Sequence, residues 1–108
     1  MERGNITSFG VCHAVQGQED ELGRRMEALI APTASEAGCL RYDLYRSDAN
    51  PNVWIFFEEW ESEAALKAHV ASAHLKSFLE TADEVLAEAS SYHTRLVRRS
   101  LESGQVAS

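Results

Sequence analysis

From Ile6 to Val15 large and small residues alternate: Phe9, Val11, His13 and Val15 are interleaved with Ser8, Gly10, Cys12 and Ala14. A period of two predicts a strand, with one face of small residues that leaves room for something to approach. After Gln16-Gly17 the period lengthens. In "QEDELGRRMEALIAPTASEAG", Leu22, Met26, Leu29, Ile30 and Thr33 form one stripe, which predicts a helix. Acidic residues 19 to 21 sit in its first turn, where the helix dipole favours negative charge. Pro32 should bend or interrupt its last turns, and Gly38 suits its stop.

Two further strands, "CLRYDLYRS" and "NVWIFFEEW", flank the turn-rich "DANP" and predict a hairpin. With Arg46 opposite Val53, Leu44 meets Ile55 and Tyr42 meets Phe57. One face then holds Leu40, Tyr42, Leu44, Val53, Ile55 and Phe57. The other holds Tyr45, Trp54, Phe56 and Trp60 among Arg41, Asp43 and Glu58. A one-residue slip would exchange these faces. Both carry large apolar groups, so both need a cover. The chain has helix enough for one layer, and a homodimer is the economical second cover.

Ser62 is a suitable N-cap for a helix over Glu63 to about Val70. Ser72 suits the next, to about Glu88, with Leu75, Phe78, Leu79, Ala82 and Leu86 as its stripe. "SYHTRLVRR" alternates again and predicts the last strand. The order β-α-β-β-α-β implies an α+β ferredoxin-like fold, a four-stranded antiparallel sheet with helices on one face. One domain is expected over 6–99, between loose ends at 1–5 and 100–108.

Composition adds exclusions. Hydrophobic content of 44% and charged content of 25% are ordinary for a globular chain, and the net charge of −7 argues against nucleic acid as a partner. No apolar run is long enough for a membrane span, and "MERGNITSFG" lacks the apolar core of a signal peptide. The expected address is the cytoplasm. Cys12 and Cys39 fit no zinc spacing and read as reduced thiols on non-neighbouring strands.

Dinucleotide, P-loop and nucleophile-elbow signatures are absent from the sequence. His69 and His74 are candidate chemical groups because imidazole titrates near neutrality. Their spacing of five differs from the three or four of two ligands on one helix face, although a break near Ser72 would bring them together. No metal site is expected, since two histidines without carboxylates rarely suffice. Each residue also has a plainer reading: His69 as a half-buried helix histidine, His74 as an exposed first-turn residue, Trp60 as core. Glu58 reads as solvated or as a cross-hairpin partner of Arg41.

The stretch "EAGCLRYDLYRSDANPNVWIFFEEWESEAALKAHVASAHLKSF" resembles the antibiotic biosynthesis monooxygenase family, in its small quinol-monooxygenase-like branch. Gly38-Cys39-Leu40, Tyr42, Pro51-Asn52, Glu58, Trp60-Glu61-Ser62, Ala65-Leu66, His69 and His74 carry the likeness. The resemblance implies a dimeric α+β barrel with one pocket per subunit between sheet and helices. It implies oxidation of a quinol or related phenolic or polycyclic compound by O₂, without flavin, haem or metal. It makes His69 or His74 the base or hydrogen-bond partner, with Trp60, Phe56, Tyr45, Leu66 and Phe78 holding the ring.

Two branches fit less well. The polyketide-oxidising branch has an asparagine and a tyrosine where this chain has Phe56 and Leu66; the haem-degrading branch has its iron-ligating histidine near Leu79. Two other readings keep the fold. One is an isomerase or other processing enzyme for a small phosphorylated or carbonyl signalling molecule, with Arg41 and Arg95 as its cations. The other is a non-enzymatic small-molecule-binding dimer.

Overall fold

The period-two segments become strands of one antiparallel sheet, and the period-3.6 segments become helices laid across one of its faces. The computed structural model describes residues 5–100. In chain order the elements are β1 (Ile6–Ala14), α1 (Glu19–Glu27), α2 (Ile30–Ala34), β2 (Cys39–Arg46) and β3 (Val53–Trp60). There follow α3 (Glu63–Val70), α4 (Ala73–Glu80), a 3-10 turn (Ala82–Glu84) and β4 (Leu86–Arg95). The strand order is β2-β3-β1-β4, the ferredoxin-like arrangement. Of the expected loose ends, 1–4 and 101–108 lie outside the described residues.

The long first helix is broken. α1 ends at Glu27 and α2 begins at Ile30. The break lies four residues before Pro32, where a proline ring collides with the carbonyl of a continuous helix and withholds its N–H. The chain tightens there instead, with Leu29 N–H donating to the Met26 carbonyl at 3.1 Å.

The hairpin register is one residue away from the expected one. Arg46 lies opposite Trp54, Leu44 opposite Phe56 and Tyr42 opposite Glu58. Two backbone bonds set the turn: Ser47 N–H to the Val53 carbonyl (3.0 Å) and Val53 N–H to the Asn50 carbonyl (2.9 Å). The slip exchanges partners between faces. Tyr42, Leu44, Trp54, Phe56 and Glu58 share the helix-covered face. Tyr45, Ile55 and Phe57 share the other. A bulge between Cys39 and Arg41 leaves Leu40 unpaired.

The last helix is also shorter than its stripe suggests. α4 stops at Glu80, and Leu86 already belongs to β4, which pairs with β1 from Ile6–Arg95 to Ala14–Leu86. Ladder pairing along all of β1 overrides the helical propensity of "ADEVLAEA". Val85, just before the strand, is 1% exposed and accepts from Val15 N–H.

The core lies between sheet and helices: Ile6, Tyr42, Phe56 and Trp60 from strands, Leu22, Met26 and Leu66 from helices. Gly23 of α1 packs directly on the Trp54 ring, whose indole N–H donates to the Glu19 carbonyl at 3.0 Å. On the opposite sheet face Phe9, Tyr45 and Tyr92 stay exposed. No described helix is long and apolar enough to cross a membrane. Both cysteines are free, on strands separated by β3.

Candidate active site

Two serine caps shape the site. Ser62 Oγ accepts from Ala65 N–H at 3.1 Å and starts α3; Ser72 Oγ accepts from Leu75 N–H at 3.3 Å and starts α4. Between them the chain turns, with Ser72 N–H bonded to the His69 carbonyl at 3.0 Å. The turn brings His74 back beside His69, their ring centroids 6.0 Å apart. The five-residue spacing is thus reconciled by the break near Ser72.

A residue from far upstream joins them. Glu36 follows α2, and the positive φ of Gly38 (84°) turns the chain against α3, where Gly38 has no room for a Cβ beside Ala65. One oxygen, Glu36 Oε2, lies 2.8 Å from His69 Nδ1 and 2.6 Å from His74 Nε2. A carboxylate only accepts, so both rings turn an N–H toward it. In a neutral His69 ring this leaves Nε2 as the acceptor. The ring is held further by Trp60 (centroids 4.9 Å) and, edge-on, by Tyr42 (5.3 Å). His69 is 2% exposed.

His69 lines a cavity of about 290 Å³ between sheet and helices. Its walls are mainly apolar: Met26 and Leu29, Tyr42 and Phe56, Leu66 and Phe78. Glu58 and Cys12 add polar atoms, and Gly10 and Ser8 supply the small face foreseen on β1. Glu58 Oε1 accepts from the Trp60 indole N–H at 3.0 Å. Desolvation holds the Glu58 carboxyl above its usual range, against the lowering effect of that bond. Burial pushes the Cys12 thiol up to about 11 and raises the Tyr42 hydroxyl as well, so both stay protonated at neutral pH.

Of the residues expected to form the site, His69, Phe56, Leu66 and Phe78 come together on this cavity. His74 does not line it and is linked to it through Glu36 and His69. Trp60 is completely buried behind His69 rather than facing the space. Tyr45 lies on the other side of the sheet, 52% exposed, because of the register slip. Glu58 is neither solvated nor paired with Arg41: it is on the helix-covered face, while Arg41 stands opposite Glu59 and bonds Asp43 at 2.7 Å. A larger recess of about 430 Å³ lies on the open face around Phe9, Phe57, Arg41 and Arg95 and contains neither histidine. Glu36 was missed; its only sequence signal is a carboxylate two residues before the glycine that ends the helical region.

The family profile described as antibiotic biosynthesis monooxygenase matches residues 11–81. The chain belongs to that family. It is 31% identical over 71 residues to sll1783, an uncharacterised protein of Synechocystis sp., covering 66% of this chain and 48% of that protein. Over 69 residues it is 29% identical to YcnE of Bacillus subtilis, covering 64% of this chain and 73% of YcnE. Over 61 residues it is 38% identical to Rv0793 of Mycobacterium tuberculosis, covering 56% and 59%. The matches thus span about half of sll1783 and under two thirds of Rv0793. YcnE and Rv0793 are both named as proposed monooxygenases. Among solved structures, PA3566 of Pseudomonas aeruginosa superposes with a TM-score of 0.85 at 27% identity, over 88% of this chain and 96% of its own. Rv0793 superposes with a TM-score of 0.82 at 23% identity over 90% and 99%, a likeness of fold.

Proposed function

We propose that this protein is a cofactor-independent monooxygenase that oxidises a small quinol with O₂. The observation that carries the reading is His69: its Nδ1 is engaged by Glu36, its other nitrogen remains an acceptor, and it lies on an apolar cavity. A volume of about 290 Å³ is at the small end of ligand pockets, which favours a one- or two-ring quinol over a larger polycycle.

In this reading the quinol hydroxyl gives its proton to His69 Nε2, and Glu36 stabilises the imidazolium. The quinolate supplies electrons to O₂, and a ring carbon forms a bond to oxygen. The O–O bond then breaks. One oxygen stays on the ring, and the other leaves as water with protons that His69 and the substrate provide. The quinol itself gives up the electrons, so quinol plus O₂ balances hydroxyquinone plus water. The apolar walls exclude bulk water and hold the ring. Glu58, a desolvated carboxyl on the same cavity, is a second proton-handling group.

Metal-stripped protein given a reduced naphthoquinone is expected to consume O₂ faster than buffer. His69→Ala is expected to lower the catalysed rate about 10²- to 10⁴-fold, the usual range for a general base. O₂ uptake no faster than in buffer overturns the reading.

The exposed aromatics of the open sheet face favour a homodimer in which a second copy covers Phe9, Tyr45 and Tyr92. The signalling-molecule reading is less favoured, because Arg41 and Arg95 share the open-face recess and are absent from the cavity of His69.

A further inference from the structure

Glu36, His69 and His74 arrive from three places, the segment after α2, the last turn of α3 and the first turn of α4. Their ligating atoms all lie within 4.8 Å of one another. A single carboxylate oxygen accepts from both rings, at 2.8 and 2.6 Å, so two imidazole protons converge on one anion. A dication can take the place of those two protons, each neutral ring then carrying its proton on its other nitrogen. The spacing of the histidines in sequence argues against a metal; the third ligand, 33 residues upstream of His69, supplies the carboxylate that two histidines lack.

We propose that Glu36, His69 Nδ1 and His74 Nε2 form a binding site for a zinc-class divalent cation, with water at the fourth position. Two imidazoles and a carboxylate suit zinc, cobalt or nickel and disfavour magnesium and calcium, which take oxygen ligands. Bonds of about 2.0–2.2 Å place tetrahedral ligands roughly 3.3–3.5 Å apart. Glu36 Oε2 and the two ring nitrogens must therefore separate by a fraction of an ångström to about one. The His74 side chain, 24% exposed against 3% for His69, gives both the freedom and the route of entry. The Trp60 and Tyr42 rings fix His69, as rigid supports orient ligands elsewhere.

A consequence rests on the oxygenase reading above. A cation on Nδ1 of neutral His69 obliges Nε2 to carry the ring proton. Nε2 then donates instead of accepting and no longer takes a proton from substrate. The cation is an inhibitor in this scheme.

The test uses tag-free, chelator-stripped full chain. Equilibrium dialysis against micromolar Zn²⁺ at pH 7.5 is expected to give one bound metal per chain, undisturbed by millimolar Mg²⁺. Co²⁺ is expected to show the visible ligand-field bands of a four-coordinate site. His74→Ala and, separately, Glu36→Gln are expected to weaken binding at least tenfold, each variant being checked for native circular dichroism. Wild-type zinc uptake no greater than that of both variants, or equal displacement by Mg²⁺, overturns the site. Zinc binding is read without activity. One-to-one binding that leaves quinol oxidation unslowed therefore keeps the site and removes His69 from the role of base.

Discussion

Glu58 shows what a buried carboxyl costs. Its folded-state value is raised mainly by desolvation, so the native protein holds this proton more tightly than the unfolded chain does. The associated stability is complete below the unfolded value, near 4.5, and is lost as pH rises through the raised folded value. Glu58→Gln keeps an acceptor for the Trp60 indole and removes the charge. In urea unfolding the variant is expected to be more stable than wild type at pH 7, with the gap closing toward pH 4. A variant less stable at pH 7 sinks the desolvation account. Single residues were the least legible scale in the sequence. His69 and Leu66 could be placed because they belong to the set that carries the family resemblance, and Phe56 and Phe78 through the ring-holding role it implies. Glu36 could not, because no local pattern links it to a ring 33 residues away. Tyr45 was misplaced because its face depends on a register that alternation alone leaves free.

Among elements, α1 offers a test in which two effects oppose each other. Gly23→Ala at a helical position gains about 1 kcal/mol of propensity. The added methyl, however, enters the space of the Trp54 ring, which is fixed by its bond to Glu19 and by Arg46 stacked 4.5 Å from its centre. Overpacking of this kind costs about 1–3 kcal/mol, and more where a hydrogen bond is lost. Thermal melts are expected to show a net loss of up to roughly 2 kcal/mol; a rise in Tm means that the ring yields easily. Elements were largely readable beforehand, since a period of two and a period of 3.6 are direct consequences of which face is buried. Their ends were less so. The break at Ala28 follows from a proline four residues later. The early end of α4 follows from the demand of β1 for a partner, which no window on "ADEVLAEA" contains.

At the scale of the molecule, sheet and helices bury one face and leave Phe9, Phe57, Tyr45 and Tyr92 on the other. Sedimentation at micromolar concentration is expected to give twice the 12.0 kDa chain mass. Tyr45→Glu with Tyr92→Glu, both side chains being more than half exposed, should leave the fold intact and shift the population toward single chains. Wild type sedimenting as one chain removes the dimer. The apolar character of that open face was legible in the hairpin, where both faces are apolar whichever register holds.

The strand order has a further consequence, for the order of events as the chain is made. Of the four strands β1 is made first yet lies in the middle of the sheet, with Ile6 opposite both Trp60 and Arg95. Its second neighbour is the last of these four strands to be made. A chain halted before Leu86 therefore keeps β1 as a bare edge, with unpaired backbone groups able to join another chain. Closing contacts so distant in sequence also slows folding. The first strand waits for the last, and during that interval the nascent protein is most prone to aggregate.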